Sequence, residues 1–409
     1  MPHKISVAHL GARLHYGVAT MLYEEGLLEK LYTDIHISTK ERWYQLLRKW
    51  AAQSDIPKLQ QLMQRSSAIP AHYVKSYPLI GFEYWRALQK LNNTSVFLKY
   101  NKKFGNRVAR EIANQKPGWI YGFTGSSLEI FRKATENGWG TLLEQMSAPI
   151  KTSQRIITNE HENWPGWQEN RGTLWDVNKW QPREKQEWEL STQIIAPSHY
   201  IEDQLVNSGI CPKSIEKIPY AVSLDDYPVR LRTFDRSRPL RVLYSGSIRL
   251  LKGSPYLLNA TRPFDKNQVE WTMVGNNELA EEKIRPFTDK VNFTGQIPRS
   301  EVADWYRWAD VLVMPSLCEG SSAVTYEAKV SGLPVIATFN SGAWINHEED
   351  GLTIPIRSSD AIIQAVNYFL ERPGRVAEMS KAAIERRKQF GWQAYRKRLA
   401  AMIAKLPDL

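Results

Sequence analysis

The sequence is poor in cysteine and has no long apolar run. Its 409 residues hold two cysteines, Cys211 and Cys318, too few for a disulfide framework and at a separation that fits no metal-ligand motif. No apolar stretch approaches the ~18 residues that a membrane-crossing helix needs. The opening, MPHKISVAHLGARLHYG, runs from one short apolar stretch straight into Arg13, His15 and Tyr16, and reads as no secretion signal. A cytoplasmic location is the expectation. There is no internal repeat, no Asp-x-Asp triplet and no G-x-x-x-x-G-K-[ST] phosphate loop. What is present is ordinary for globular chains, with 42% hydrophobic and 24% charged residues, so wholesale disorder is excluded. The length suits two or three domains.

Charge is unevenly placed. The net +11 is matched by Lys40 to Lys116 alone, where 15 Lys and Arg face only Glu41, Asp55, Glu83 and Glu111. Within that segment Trp43, Leu46, Leu47 and Trp50 share one helical face, flanked by Arg42, Arg48 and Lys49. Such a stripe suits a helix lying in an anionic membrane interface, and equally a helix packed on a core. Lys99, Lys102, Lys103, Arg107 and Arg110 add to the basic face. Nucleic acid also fits a basic chain, but no helix-turn-helix, zinc-finger or RNA-recognition signature is present, and none is expected as a partner.

Short apolar segments at Ile5–Leu10, Tyr32–Ile37, Trp119–Phe123, Gly140–Glu144 and Gln193–Ala196 read as strands, with a helix expected over Val18–Leu31. From Leu240 the alternation is regular, with strands at Leu240–Ser245, Val269–Val274, Val291–Phe293, Val311–Met314 and Pro334–Thr338. This pattern predicts an α/β chain of two doubly wound parallel domains. The first spans 1–228, with a basic helical insert over about 40–116. The second spans 229–390, beyond the arginine-rich linker Pro228–Pro239, and a final helix occupies about 391–409. In such sheets ligands bind beyond the carboxyl ends of the strands.

Two loops at those ends carry chemistry. Gly246-Ser247-Ile248-Arg249-Leu250-Leu251-Lys252-Gly253 puts a glycine turn and a lysine before a helix, an arrangement that suits a diphosphate and also an ordinary strand-to-helix turn. After Val311–Met314 come Glu319, Gly320, Ser321, Ser322 and, inside the next helix, Glu327. Carboxylates there can accept bonds from sugar hydroxyls, and the amides of Gly320 to Ser322 can receive phosphate oxygens. Two isolated glutamates are more often a loop charge and half of a surface ion pair.

The ordered set is more specific. Pro-Ser-x-x-Glu-Gly, then Glu327-Ala328, then Ser331-Gly332-Leu333-Pro334 resembles the E-x7-E signature of family 4 retaining glycosyltransferases, which have the GT-B fold of two Rossmann-like domains facing across a cleft. The resemblance extends through Val291–Gly295, Val274-Gly275, Gly246 to Gly253, Ile195–Ser198 and Ile218–Asp225. It implies that Glu319 holds the donor sugar, Glu327 the ribose and Lys252 the departing diphosphate. It also implies that Gln296 and Ile297 meet the base, and that Gly11-Ala12 form the N-domain loop. It implies a nucleotide-diphosphate sugar donor, UDP by family frequency, with no metal and no cofactor. The acceptor would be a polysaccharide or lipid-linked saccharide, and the final helix would cross back onto the N-domain. Departures are visible. Ser247 stands where arginine is common, with Arg249 two residues on, and Ser321-Ser322 replaces Phe-Gly. The position of an N-domain histidine is taken by Glu144-Gln145, which leaves His161 as a stand-in. Another GT-B activity, such as an epimerase or phosphorylase, and a catalytically weak nucleotide-sugar-binding module are the alternatives.

Overall fold

The computed structural model describes residues 3–41, 44, 49, 65–91, 93–169 and 176–409. In the first half, strands β1 (Ile5–His9), β2 (Leu28–Thr33), β3 (Ile37–Ser38), β4 (Ser66–Ser67), β5 (Val74–Ser76), β6 (Trp119–Phe123), β7 (Gly140–Glu144), β8 (Gln193–Ala196) and β9 (Ile215–Lys217) alternate with seven helices among the described residues. These are α1 (Gly17–Glu24), α2 (Pro78–Lys90), α3 (Thr94–Ile112), α4 (Leu128–Glu136), α5 (Ile150–Asn163), α6 (Val177–Glu189) and α7 (His199–Asn207). The main sheet runs β5-β2-β1-β6-β7-β8-β9, and β3 pairs with β4 apart from it.

The second half places β10 (Leu240–Ser245), α8 (Ser254–Ala260), β11 (Val269–Val274), α9 (Glu281–Ile284), β12 (Val291–Gly295), α10 (Arg299–Trp308), β13 (Val311–Met314), α11 (Ala323–Val330), β14 (Val335–Thr338) and β15 (Gly351–Ile354) before the closing helices α12 (Ser359–Glu371), α13 (Gly374–Arg386) and α14 (Trp392–Ile403). Its sheet runs β12-β11-β10-β13-β14-β15. Every strand pairing in the two sheets is parallel. The buried strands read as continuous apolar runs because helices cover both faces: all four residues of β13 and of β14 are buried. The order reverses between β1 and β6 and again between β10 and β13. At such a reversal the flanking loops part and leave a crevice.

Two neighbouring elements depart from the sequence expectation: the strand expected over Tyr32–Ile37 falls at Leu28–Thr33, with Ile37–Ser38 a separate short strand outside the main sheet. The helix predicted over Val18–Leu31 ends at Glu24, and Leu28–Thr33 is β2. Gly26 sits at φ +67°, and the amides of Gly26 and Leu27 bond back to Tyr23 and Leu22 carbonyls at 3.0 and 2.7 Å. That is a glycine helix stop; Leu27, Leu28 and Leu31 kept a helical spacing while belonging to the turn and strand.

The arginines of 228–239 lie down on the second sheet's helices. Arg232 is buried and donates to the Tyr306 carbonyl at 2.8 Å, while Arg238 forks onto Asp310 at 2.6 and 2.8 Å. Helix α14 returns to the first domain, where Tyr395, Leu399, Met402 and Ile403 join the cluster around Ile5, Val7 and Leu22. Each such buried side chain contributes about 1.5–3 kcal/mol. A bond from the Val222 amide to the Phe390 carbonyl, 2.9 Å, marks the crossing.

No helix among the described residues is long and apolar enough to cross a membrane. The stripe of Trp43, Leu46, Leu47 and Trp50 lies outside the described residues. Helix α3 buries Phe104, Val108 and Ile112 and leaves Lys99, Lys102, Lys103, Arg107 and Arg110 in solvent.

Candidate active site

The loops after β10 and β13, the two strands at the reversal, converge on one ion pair. Lys252 Nζ lies 2.6 Å from Glu319 Oε2, both side chains being 15% exposed. Glu319 Oε1 is buried with no partner, and so is Arg249 Nε in the same loop. Two orphaned polar atoms of opposite kind beside one crevice are what a polar ligand would satisfy.

Backbone packing sets this geometry. Gly246 leaves β10 at φ +140°. The Ser247 carbonyl accepts from the Tyr244 hydroxyl at 2.6 Å, and the Arg249 amide is held by Ser254 Oγ at 3.1 Å. Gly253, at φ +70°, lies so close to the β13 loop that a Cβ would sit 2.1 Å from the Pro315 carbonyl oxygen. The Leu317 amide bonds the Leu251 carbonyl at 2.9 Å. The two loops are thus one packed unit.

The far side of the Glu319 loop is held as tightly. The Glu319 amide bonds the Asn340 carbonyl and the Ser322 amide the Ser341 carbonyl, both at 3.0 Å. The Ser322 amide is therefore already committed, which corrects the expectation that all three amides from Gly320 to Ser322 are open to phosphate. Ser321 Oγ bonds the Tyr326 hydroxyl. Gly320 abuts the first domain: a Cβ there would lie 2.0 Å from the Met146 carbonyl oxygen, and Ser198 Oγ donates to its carbonyl at 2.6 Å. Glu327 lies in α11, 8% exposed; it accepts from the Tyr306 hydroxyl at 2.8 Å and pairs with Arg299 at 3.7 Å. Gln296 is exposed and Ile297 half-buried, just beyond β12.

Across the cleft, Gly11 follows β1 at φ +114° and donates to Asp34 Oδ1 at 3.1 Å, with Ala12 half-buried beside it. Glu144 and Gln145 are both buried and committed. Glu144 accepts from Arg13 Nε at 3.1 Å, Tyr121 at 2.7 Å and Tyr220 at 2.9 Å. Gln145 receives Thr124 and Trp188 and donates to Glu184. A closed structural network thus fills the position where a histidine was looked for. His161 lies in the last turn of α5 and forms no hydrogen bond or ion pair among the described residues, so none of these joins it to the Lys252–Glu319 pair. Its neighbour Glu160 is the engaged residue, taking Tyr256 at 3.0 Å and Arg357 at 2.6 Å from the second domain.

Sequence reasoning missed His9, the last residue of β1. Burial first, and Arg13 second, push its pKa down to about 4, so it is neutral near pH 7. Its Nδ1 has no partner and its ring stands edge-on to Phe123. The signal available was position alone, a histidine two residues before the Gly11 turn. Also missed was the seam formed by Trp164 to Gln168. Gln168 Oε1 accepts the Leu250 amide at 2.9 Å, the Trp167 carbonyl accepts the Ala280 amide at 2.8 Å, and Trp164 packs edge-on to Tyr256.

Two facing parallel α/β domains, with a crevice at a strand-order reversal and a last helix crossing back, define the GT-B fold. Solved structures of that fold cover the whole chain. HepE from Anabaena, in complex with UDP, superposes with a TM-score of 0.63 at 13% identity, covering 98% of this chain and 100% of that one. Sucrose-phosphate synthase from Thermosynechococcus elongatus gives 0.61 at 17%, covering 98% of each. Residues 239–372, which contain the Lys252–Glu319 pair, match the family model described as glycosyl transferases group 1. Among curated relatives, a D-inositol 3-phosphate glycosyltransferase of Paenarthrobacter aurescens is 28% identical over 243 residues, 52% of this chain and 58% of that protein. The corresponding protein of Kribbella flavida is 35% identical over 107 residues, 26% of this chain and 25% of that protein. The chain thus spans between a quarter and three-fifths of the length of these relatives.

Proposed function

We propose that the protein is a retaining glycosyltransferase that moves a sugar from a nucleotide-diphosphate donor to a saccharide acceptor, without a metal or other cofactor. The observation that carries this reading is the Lys252–Glu319 pair at the β10/β13 reversal, with Glu319 Oε1 and Arg249 Nε unpartnered beside it. From the end of β12 to that of β13 the strand ends span three sheet spacings, about 14 Å, a length that accommodates an extended nucleoside diphosphate with its sugar. Along that line Gln296 and Ile297 meet the base and Glu327 the ribose. Gly246, Ser247, Arg249 and Lys252 take the diphosphate. Glu319, with Gly320 and Ser321 beside it, takes the sugar.

The step forms a bond from an acceptor hydroxyl oxygen to the anomeric carbon and breaks the bond from that carbon to the β-phosphate oxygen. The hydroxyl proton passes to the departing phosphate. Lys252 supplies positive charge where the leaving oxygen becomes negative, the term that dominates such transfers. Glu319 leaves Lys252 partly free by turning towards sugar hydroxyls. UDP is the nucleotide of choice, in line with HepE, which is also solved with UDP-glucose. The acceptor is a polysaccharide or lipid-linked saccharide met at the cytoplasmic face of a membrane, and the basic residues of 40–116 make peripheral contact with anionic lipid there.

The test is release of UDP from a panel of UDP-sugars, with and without saccharide acceptors. Turnover that is lost in Glu319→Gln supports the reading; absence of turnover or of UDP binding by the unaltered protein overturns it.

A further inference from the structure

Behind the Glu319 loop lies a second crevice, at the ends of β14 and β15 and facing the first domain. Its cavity is about 350 Å³, within the ~300–1,000 Å³ usual for small-molecule sites. On the N-domain side it is lined by one face of α5, including Arg155 and Asn159, and by one face of α7, including Tyr200 and Asp203. On the other side stand Phe339, Asn340 and Arg357. It is walled off from the catalytic pair by Cys318, whose sulfur lies 3.4 Å from Ser153 Oγ and 3.5 Å from the Tyr200 hydroxyl. A smaller cavity of about 170 Å³ adjoins it, since Tyr200 and Phe339 line both, and there Trp344 packs on His199 at 4.6 Å between ring centroids.

The lining has the chemistry of sugar recognition. Phe339 is 47% exposed, an open ring for the C–H face of a pyranose. Among the described residues the Asn159 side chain makes no hydrogen bond, and the Asn340 side chain spends only its amide nitrogen, on the Leu317 carbonyl at 2.8 Å; both can bond vicinal hydroxyls. The charge is cationic in what remains unpaired. Arg357 is held in the left-handed region, φ +61°, with Nε on Glu160, and its Nη2 is buried without a partner. Arg155 is exposed and forms no ion pair or hydrogen bond among the described residues. Asp203 is already turned to Gln204 and Asn207, at 3.2 and 3.1 Å.

We infer that this interdomain crevice is a second ligand site, separate from the donor site, for a saccharide unit that carries a carboxylate or phosphate. Phe339 and the two asparagines take the ring, and Arg155 and Arg357 take the acidic group. The site goes beyond the proposed transfer, because none of Lys252, Arg249 and Glu319 lines it. A ligand there rests against Asn340, whose carbonyl holds the Glu319 amide, so occupancy is felt at the catalytic loop.

The experiment is saturation-transfer NMR on the full chain with D-glucuronate, glucose 6-phosphate and neutral glucose, each at about 5 mM, with saturating UDP present throughout. Ring-proton transfer from at least one of the acidic sugars, stronger than from glucose, is expected. It should disappear in Phe339→Ala and weaken about tenfold or more in Arg155→Ala, the loss of a charge-assisted contact. Both positions are solvent-exposed, and melting curves confirm that the variants fold. No transfer from either acidic sugar, equal transfer from glucose, or a signal unchanged in both variants would overturn the inference. Failure of UDP-sugar turnover bears on the proposed function alone, because this binding is read without any donor sugar.

Discussion

Lys252 and Glu319 hold each other at 2.6 Å, so each is a counter-ion that the proposed donor must replace. Glu319→Gln keeps the shape and one acceptor oxygen but removes the charge and turns the other oxygen into a donor. Its expected outcome is loss of transfer by two or more orders of magnitude, with UDP affinity within about threefold, read by steady-state kinetics and calorimetry. Lys252→Ala leaves Glu319 half-buried without its counter-ion, and UDP affinity should fall about 10- to 100-fold, the worth of one charge-assisted contact. Unchanged affinity would remove the diphosphate role. These positions were legible because the motif is local: seven residues separate Glu319 from Glu327, and a glycine turn precedes Lys252. The commitment of the Ser322 amide was illegible, since its partner, Ser341, lies beyond a helix and a strand. His9 was illegible too, because one histidine carries no pattern until its neighbours fold around it.

At the level of elements, packing between loops does what side chains alone cannot. A methyl group at Gly253 would meet the Pro315 carbonyl at 2.1 Å with a backbone at φ +70°. Gly253→Ala should therefore cost about 2–4 kcal/mol and lower UDP affinity, by separating the two loops; a thermal melt and a UDP titration check both. Helix α6 offers a pH test. Glu184 accepts the Ile150 amide that opens α5, and Glu187 accepts the amides of Gly125, Ser127 and Leu128 that open α4. Burial raises both carboxyls from 4.5 to about 7. The folded chain then holds more protons than the unfolded chain across that interval, so this contribution to stability falls as pH rises from about 4.5 to 7. Glu184→Gln should flatten that part of the Tm-versus-pH curve, and an equal slope in both proteins would contradict the assignment. Strand positions were largely legible, as buried parallel strands read as short apolar runs. The β2 boundary was not, because leucines on a turn and a strand can fall at helical intervals.

At the scale of the whole molecule, the Glu319 loop touches both domains. Gly320 leaves no room for a Cβ against Met146, so Gly320→Ala should lower transfer at least tenfold while leaving each domain folded, as read by turnover beside a far-ultraviolet dichroism melt. Two-domain architecture was legible from alternating strands and helices. The face-to-face seam was not, since residues such as Glu160, Gln168 and Arg357 meet only once both domains exist. That seam has a consequence for motion. The amides of Leu250 and Ala280 donate to Gln168 and Trp167, which belong to the other half of the chain. Either the short segment around Trp167 travels with the second domain whenever the cleft widens, or those two protons meet solvent at each widening. Their deuterium uptake, compared with that of sheet amides such as Leu243, is therefore a built-in clock for the breathing of the cleft.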